Sequence, residues 1–267
     1  MFRPATLQER KEFYEKEFDI KKVESWLNQL PFKPCFFAID CGTDSGIIKD
    51  KSKKGKLIYF KPNLSLKELR KKLIFYLPED VYYDRDIYKD ANLCIKNFDF
   101  KKAHLSTNYL GQELVFDIDP ENIKCKECAK KSAHDFCEAC SKIAIQNTYN
   151  FYLELKKQFS DVKVVFSGRG AHVHVLDKNA YYLTLKQRNS LNKKYKKFAI
   201  DPWVSHGRIH LIRLPYTLNS LSSRIVTPLD LKDISKFSPD NLTFIPGYIS
   251  SPEDIIASPD SVSSFFS

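Results

Sequence analysis

The sequence predicts an α+β protein with mixed, mainly antiparallel sheets and flanking helices. Segments with the 3.6-residue period of helices and apolar segments typical of strands follow one another irregularly along the 267 residues. Two strand-like arms flank the glycines of Ser167-Gly168-Arg169-Gly170, which predicts an antiparallel hairpin over 162–176. A hydrophobic content of 43%, with 20 Phe and 14 Tyr, is enough for a large core.

Three helices are predicted from capping boxes, in which a Ser or Thr and a Glu or Gln three residues later bond each other's backbone N–H. They are expected from Thr6-x-x-Glu9 towards residue 30, from Ser65-x-x-Glu68 to about 76, and from Thr184-x-x-Gln187 to about 198. The apolar period predicts a fourth helix over 141–159. Strands are expected at 36–40, 56–60, 81–83, 113–117, 162–166, 171–176 and 209–214.

Two aspartates one residue apart, Asp117 and Asp119, follow the apolar run 114–116. Residues i and i+2 of a strand share a face, so the carboxylates are expected to lie about 6–7 Å apart. Like charges at that distance repel each other unless a cation lies between them, and oxygen ligands favour Mg²⁺ or Mn²⁺. The pair is therefore a candidate metal site of the kind that binds a nucleotide triphosphate. A solvated turn after an edge strand is the alternative.

The chain carries a formal charge of +10, from 43 basic and 33 acidic residues, which favours a polyanionic partner such as nucleic acid. Two basic runs, 51–56 and 193–197, are candidate phosphate contacts, although most such runs are solvated faces. No stretch approaches the ~20 apolar residues of a membrane span, and the N-terminus lacks an apolar signal region. An intracellular protein of the cytoplasm or nucleoid, with no membrane partner, is expected.

Four of the seven cysteines form two C-x-x-C pairs separated by eight residues: Cys125, Cys128, Cys137 and Cys140. Two such pairs complete the tetrahedron of a structural zinc ion, and His134 between them could replace one thiol. Unrelated cysteines or a redox pair are the alternatives. A closed site directly after the aspartate pair is expected to support a loop beside the carboxylates or to offer a surface to nucleic acid.

The predicted hairpin and the chain after it supply further candidate ligands. The turn at 167–170 combines a hydroxyl, a guanidinium and backbone amides, all of which bind phosphate. His172 and His174 alternate with valines and share one strand face, where a purely structural role is the alternative. Asp201 supplies another acid near a strand, and Arg213 shares a strand face with apolar residues, which suits a guanidinium aimed into a cleft.

In order and spacing, these features resemble the catalytic small subunit of the archaeal and eukaryotic type of DNA primase. The shared features are D-x-D on a strand, a zinc knuckle after it, a hairpin similar to the family's S-G-x-R-G-x-H, and an Asp followed by a basic-Pro strand. The resemblance covers roughly 1–235 and implies a primase-type catalytic core there, with the zinc knuckle at 121–142. A partly ordered tail is expected at 236–267.

The resemblance also implies which residues act. The family's three carboxylates, which hold two Mg²⁺ or Mn²⁺ ions, match Asp117, Asp119 and Asp201. The family's triphosphate ligands match Ser167, Arg169, His172, Arg213 and Asn219. The chain departs from the family in a hairpin one residue shorter and in an Asn in place of a His, 18 residues after the third aspartate.

The function implied is template-directed synthesis of short primers on single-stranded DNA by two-metal nucleotidyl transfer. Nucleoside triphosphates would be the substrates, a primase large subunit the partner, and structural Zn²⁺ with catalytic Mg²⁺ or Mn²⁺ the cofactors. The alternatives are a repair or end-joining polymerase of the same superfamily, a non-catalytic zinc-containing nucleic-acid-binding subunit, and a metal nuclease. The knuckle favours the primase, the three acids argue against a non-catalytic subunit, and the triphosphate-type hairpin argues against a nuclease.

Overall fold

The structure is a computed structural model that describes residues 4–42, 57–94, 106–123, 125, 138–207 and 209–230. The predicted tail at 236–267 and the basic run at 51–56 lie outside the described residues. The α-helices are α1 (Leu7–Glu12), α2 (Ile20–Leu27), α3 (Leu66–Tyr76), α4 (Ala91–Cys94), α5 (Glu138–Lys156), α6 (Leu185–Tyr195) and α7 (Pro202–Ser205). The strands are β1 (Phe37–Asp40), β2 (Ile58–Tyr59), β3 (Asp80–Asp84), β4 (Asp86–Tyr88), β5 (Tyr109–Gln112), β6 (Leu114–Ile118), β7 (Val162–Phe166), β8 (Ala171–Val175), β9 (Ile200–Asp201), β10 (Leu211–Arg213) and β11 (Thr227–Leu229).

The strands form two main sheets, and every strand pair among the described residues is antiparallel. One sheet has the order β10-β3-β1-β2, the other has the order β11-β7-β8-β6-β9, and β4 pairs with β5 alone. The predicted hairpin is confirmed, since β7 and β8 pair from Val162 opposite Val175 to Phe166 opposite Ala171. The expectation of helices around mainly antiparallel sheets is likewise confirmed.

Two hydrophobic cores lie on the two faces of the five-stranded sheet. The first core joins that sheet to the four-stranded sheet, to the segment directly after α1, and to α2 and α3, and it includes Phe13, Trp26, Ile39, Leu69, Val81 and Val115. The second core joins the sheet to α5 and α6, and it includes Phe116, Phe151, Leu155, Val173, Leu191 and Tyr195. Strand β6 therefore sends alternate side chains into different cores, which fixes its register firmly.

The three capping boxes are confirmed, but the N-terminal helix is shorter than expected. The helix begun at Thr6 was predicted to run towards residue 30, and this is wrong. It ends at Glu12, continues as a π-helix over Phe13–Glu17, and breaks where Phe18 is extended. Asp19 then caps α2 by accepting bonds from two backbone N–H groups, so its carboxylate supplies the helix break.

The remaining helix predictions are close to the structure. The helix expected over 141–159 spans Glu138–Lys156, three residues earlier at each end. The helix expected to reach 198 ends at Tyr195 and is extended by a 3₁₀ turn over Lys196–Phe198. Among the described residues, no helix combines the length and hydrophobicity that a membrane crossing requires.

Candidate active site

Three predicted site residues form a row across neighbouring strands. Asp117 on β6 lies directly opposite Asp201 on β9 and directly opposite His172 on β8. Directly opposed side chains in antiparallel strands have Cβ atoms about 4.5–5.5 Å apart, so the fold brings two carboxylates and an imidazole together. Phe116 and Ile118, which flank Asp117, are buried in the second core, so the aspartate must face the other way.

The electrostatics of this row are dominated by Asp117. Burial, followed by the charges of Asp119 and Asp201, raises the pKa of Asp117 to about 8, even though Arg213 and Arg169 act in the opposite direction. At neutral pH the carboxyl therefore holds a proton unless a cation replaces it. The donor set consists of carboxylate oxygens, which suits Mg²⁺ or Mn²⁺.

Asp119 does not belong to the strand row. Strand β6 ends at Ile118, and Asp119 caps the 3₁₀ turn Pro120–Asn122 by accepting a bond from the Glu121 N–H. Arg169 Nη2 donates to both Asp119 carboxylate oxygens, each at 2.8 Å, and also lies 2.8 Å from Glu121 Oε1. The predicted aspartate pair is thus close enough to interact electrostatically, but one member is held by an arginine.

The turn between β7 and β8 is compact and depends on its glycines. The Ser167 N–H donates to the Gly170 carbonyl at 3.0 Å, and the Gly170 N–H donates to Ser167 Oγ at 3.2 Å. Gly168 has a φ of +98°, and a Cβ there would lie 2.5 Å from the Cβ of Asn219. A Cβ on Gly170 would lie 2.2 Å from the Ile118 carbonyl oxygen, so the turn packs directly against the end of β6.

The two histidines of β8 have different surroundings. His174 is fully buried, with Nδ1 2.7 Å from Glu113 Oε1. This environment supports a purely structural role for His174. Burial, followed by His174 and Arg213, lowers the pKa of His172 well below its ordinary value, so this imidazole is neutral. Its Nε2 lies 3.8 Å from Asp117 Oδ1, and its buried Nδ1 has no partner among the described residues.

Arg213 is held by an aspartate that the sequence analysis missed. Arg213 Nε donates to Asp80 Oδ1 at 2.8 Å, and that oxygen also accepts the Ser220 N–H at 3.0 Å. The two Nη groups of Arg213 make no hydrogen bond to a described residue, so they are available to an anion. The Asp80 carboxylate is buried, yet Arg213 holds its pKa below the ordinary value. The only feature of the sequence that could have indicated Asp80 is its position directly before the predicted strand 81–83.

Asn219 is 3% exposed and has its polar atoms engaged within the protein. Its Nδ2 donates to the Ser167 carbonyl at 2.7 Å, and its Oδ1 accepts the backbone N–H groups of Leu221 and Ser222 at 3.0 and 3.1 Å. The structure therefore places Asn219 beside the predicted phosphate-binding turn. Its direct contact with a triphosphate stays a prediction.

The zinc knuckle is unconfirmed. Cys128, His134 and Cys137 lie outside the described residues. Cys125 is half-buried, and the thiol of Cys140, in the first turn of α5, lies 3.2 Å from the Ile123 carbonyl oxygen. Within the described ranges, no group of three or more His, Cys, Asp or Glu is arranged to hold a metal ion.

Comparisons with known proteins identify clear relatives, although no family model matches the chain. An Archaeoglobus fulgidus protein described as an uncharacterized DNA primase small subunit-like protein is 38% identical over 260 residues, covering 94% of this chain and 93% of the relative. The DNA primase small subunit PriS of Thermococcus sibiricus is 27% identical, covering 72% of this chain and 49% of the relative. PriS of Pyrococcus abyssi is 25% identical, covering 81% of this chain and 61% of the relative.

The match thus spans about half to three-fifths of the length of these two PriS proteins. Among solved structures, the polymerase domain of Mycobacterium tuberculosis Ligase D in complex with DNA is 10% identical, with a TM-score of 0.49. That similarity covers 85% of this chain and 86% of the other.

Proposed function

The chain belongs to the DNA primase small-subunit family, and we propose that it is a DNA-directed nucleotidyltransferase that makes short primers on single-stranded DNA. The family expected from the sequence motifs is thereby confirmed. The activity, substrates and partners rest on the likeness to named relatives together with the site described above.

One observation carries the proposal: Asp201, Asp117 and His172 stand in register across three strands, beside a glycine turn and Arg213. An acidic row suits a divalent cation, and a neighbouring group of amide and guanidinium donors suits the phosphates that such a cation accompanies. A site of this composition is adapted to phosphoryl transfer, because that chemistry depends mainly on positioning and charge stabilisation.

We propose that Asp117 and Asp201, together with Asp119 once it leaves Arg169, hold Mg²⁺ or Mn²⁺. The raised pKa of Asp117 supports this, because carboxylates that repel each other gain most from a bound cation. The bound cation would supply Lewis-acid activation and neutralise phosphate charge. A structural zinc ion at Cys125, Cys128, Cys137 and Cys140 is proposed on the spacing alone.

The nucleotide is proposed to bind with its triphosphate between the turn and β10. Arg169 and Arg213 would bind phosphate oxygens, and Arg213 is well suited because Asp80 holds its Nε while both Nη groups remain available. Neutral His172 would donate one hydrogen bond. As the 3′-hydroxyl loses its proton to water, its oxygen bonds to the α-phosphorus and the bond to the leaving pyrophosphate breaks. These donors would stabilise the charge that develops on pyrophosphate.

The template and the partner subunit are proposed from charge and family. The lysines of the 193–197 run lie exposed around buried Tyr195 at the end of α6, where Lys194 Nζ donates to Gln158 Oε1 at 3.1 Å. They are proposed contacts for template phosphates beyond the carboxylate row, because α6 packs on the sheet face opposite Asp117. A primase large subunit is the partner proposed from the family likeness, and an intracellular location follows from a role on DNA.

The proposal is tested by incubating the chain with single-stranded template, labelled nucleotides and Mg²⁺ or Mn²⁺, and then sizing the products. Reactions are run with and without a candidate large subunit. We expect short products from the wild type, none from Asp117→Asn, and wild-type yields from Asp161→Asn, whose side chain is 49% exposed. Absence of products from the wild type under every condition would refute the proposed activity, and synthesis by Asp117→Asn would refute the site.

A further inference from the structure

The glycine turn between β7 and β8 is held from outside the hairpin at three consecutive carbonyls. In chain order, the carbonyl oxygens at 167–169 accept hydrogen bonds from Asn219 Nδ2 at 2.7 Å, Ser222 Oγ at 3.0 Å and Ser141 Oγ at 2.6 Å. We call these three donors the clamp. Two come from the loop after β10 and the third from the first turn of α5, so two separate segments hold one turn.

The clamp also determines where the turn's N–H groups point. In a planar trans peptide, the carbonyl of one residue and the N–H of the next point in opposite directions. With the carbonyls at 167 and 168 drawn towards the clamp, the N–H groups of Gly168 and Arg169 point away from it. Neither makes a hydrogen bond to a described residue, whereas the Gly170 N–H is used by Ser167 Oγ.

Two free N–H groups on consecutive residues, one of which carries a guanidinium, form a concave donor set that suits an anion. We infer that Asn219, Ser222 and Ser141 are positioning residues, which keep this donor set aimed at a phosphate oxygen of the nucleotide. The inference rests on the proposed function. It gives Asn219 a role behind the turn, where the family resemblance implied direct contact with the triphosphate.

The loop of the clamp also connects the turn to Arg213. The Ser220 N–H donates to Asp80 Oδ1 at 3.0 Å, the same oxygen that holds Arg213 Nε. One short segment therefore fixes both elements proposed to bind the triphosphate. Displacement of this loop would misalign the turn and the guanidinium together, so its effect should fall on nucleotide binding.

The inference is tested with Ser222→Ala and Ser141→Ala, which remove the hydroxyl donors. Ser222 Oγ also accepts the Arg224 N–H at 3.4 Å and lies 3.2 Å from Asn219 Oδ1. Ser141→Ala is therefore the cleaner of the two variants. The matched control is Thr148→Val, which removes another buried hydroxyl of α5 whose partner, the Ala144 carbonyl, lies within the helix. Loss of one clamp bond should raise the nucleotide KM about three- to tenfold, with little change in kcat. Thr148→Val should lower the unfolding temperature comparably and leave KM unchanged.

Calorimetric titration with inorganic triphosphate separates this inference from the proposed function, because it needs no catalysis. Weakened binding by both serine variants, and wild-type binding by Thr148→Val, would support the clamp. Binding as tight as that of the wild type in both serine variants would overturn it, even if the wild type makes primers. Failure of the wild type to make primers would instead overturn the proposed function.

Asn219→His gives the sharpest comparison, because it restores the residue type of the family. If Asn219 acts behind the turn, an imidazole cannot make all of its bonds, and affinity for inorganic triphosphate should fall at both pH 6 and pH 8. Tighter binding, increasing as the imidazole gains charge at pH 6, would show a direct ligand and overturn the inference.

Discussion

Replacing Asp117 with Asn should stabilise the cation-free protein while abolishing its proposed activity. Burial and the neighbouring aspartates raise the pKa of this carboxyl from 3.8 to about 8. Between these values the folded protein holds a proton that the unfolded chain has released, so wild-type stability falls as pH rises from about 4 to about 8. An amide, which carries no charge, does not incur this cost.

The size of the effect follows from the same values. At pH 7 the solution is about three pH units above the ordinary pKa of the carboxyl, and each unit corresponds to about 1.4 kcal/mol, which gives an upper bound of about 4 kcal/mol. Because the buried amide also loses hydration, we expect a gain of about 2–4 kcal/mol. For a chain of this size, the unfolding temperature should rise by roughly 5–10 °C.

The assay measures the stability of the wild type and of Asp117→Asn by chemical and thermal unfolding, in the presence of a chelator, at pH 5 and pH 8. The advantage of the variant should be small at pH 5 and large at pH 8. Saturating Mn²⁺ should stabilise the wild type much more than the variant, since the carboxylate is a proposed ligand. Asp161→Asn, an exposed aspartate on the approach to β7, is the control and should match the wild type. Equal stabilities of Asp117→Asn and wild type at pH 8 would refute the reasoning.

Other predictions concern the remaining site residues. Asp119→Asn should abolish primer synthesis without loss of helical circular dichroism, and near-normal synthesis in Mn²⁺ would contradict its role. Elemental analysis of protein purified without chelator should give about one zinc per chain, and less for Cys125→Ser. Arg213→Ala should weaken nucleotide binding by about 1.5–3 kcal/mol in calorimetry, while template affinity stays unchanged. Asp80→Asn should raise the nucleotide KM with a smaller effect on kcat, because Arg213 loses its anchor; an unchanged KM would argue against positioning.

Local chemistry made most helix starts predictable from the sequence. The capping boxes at Thr6, Ser65 and Thr184 involve residues three apart, so their geometry does not depend on the rest of the fold. The break at Asp19 was missed because the amphipathic pattern continues across it. Short strands such as Ile200–Asp201 were not predicted, because two residues are too few to show the alternation of a strand.

The candidate site was predictable in its members but not in its arrangement. The motifs named Asp117, Asp201 and His172, and the sheet register places them in one row. The partner of Arg213 was missed because it lies 133 residues away in the sequence, and no local pattern connects the two. The spacing from Asp201 likewise identified Asn219 as a candidate triphosphate ligand, but it could not show which way the amide points.

The contact between Arg169 and Asp119 should couple the binding of the cation to the binding of the nucleotide. If Asp119 binds the proposed cation, the guanidinium and the cation compete for the same two carboxylate oxygens, so a cation bound by Asp119 would release Arg169. A phosphate that takes Arg169 conversely releases the carboxylate. Cation and nucleotide should therefore bind cooperatively, and thermodynamic reciprocity requires each to raise the affinity of the other by the same factor. In the absence of both, the arginine serves as an internal counter-ion that keeps an acidic site folded.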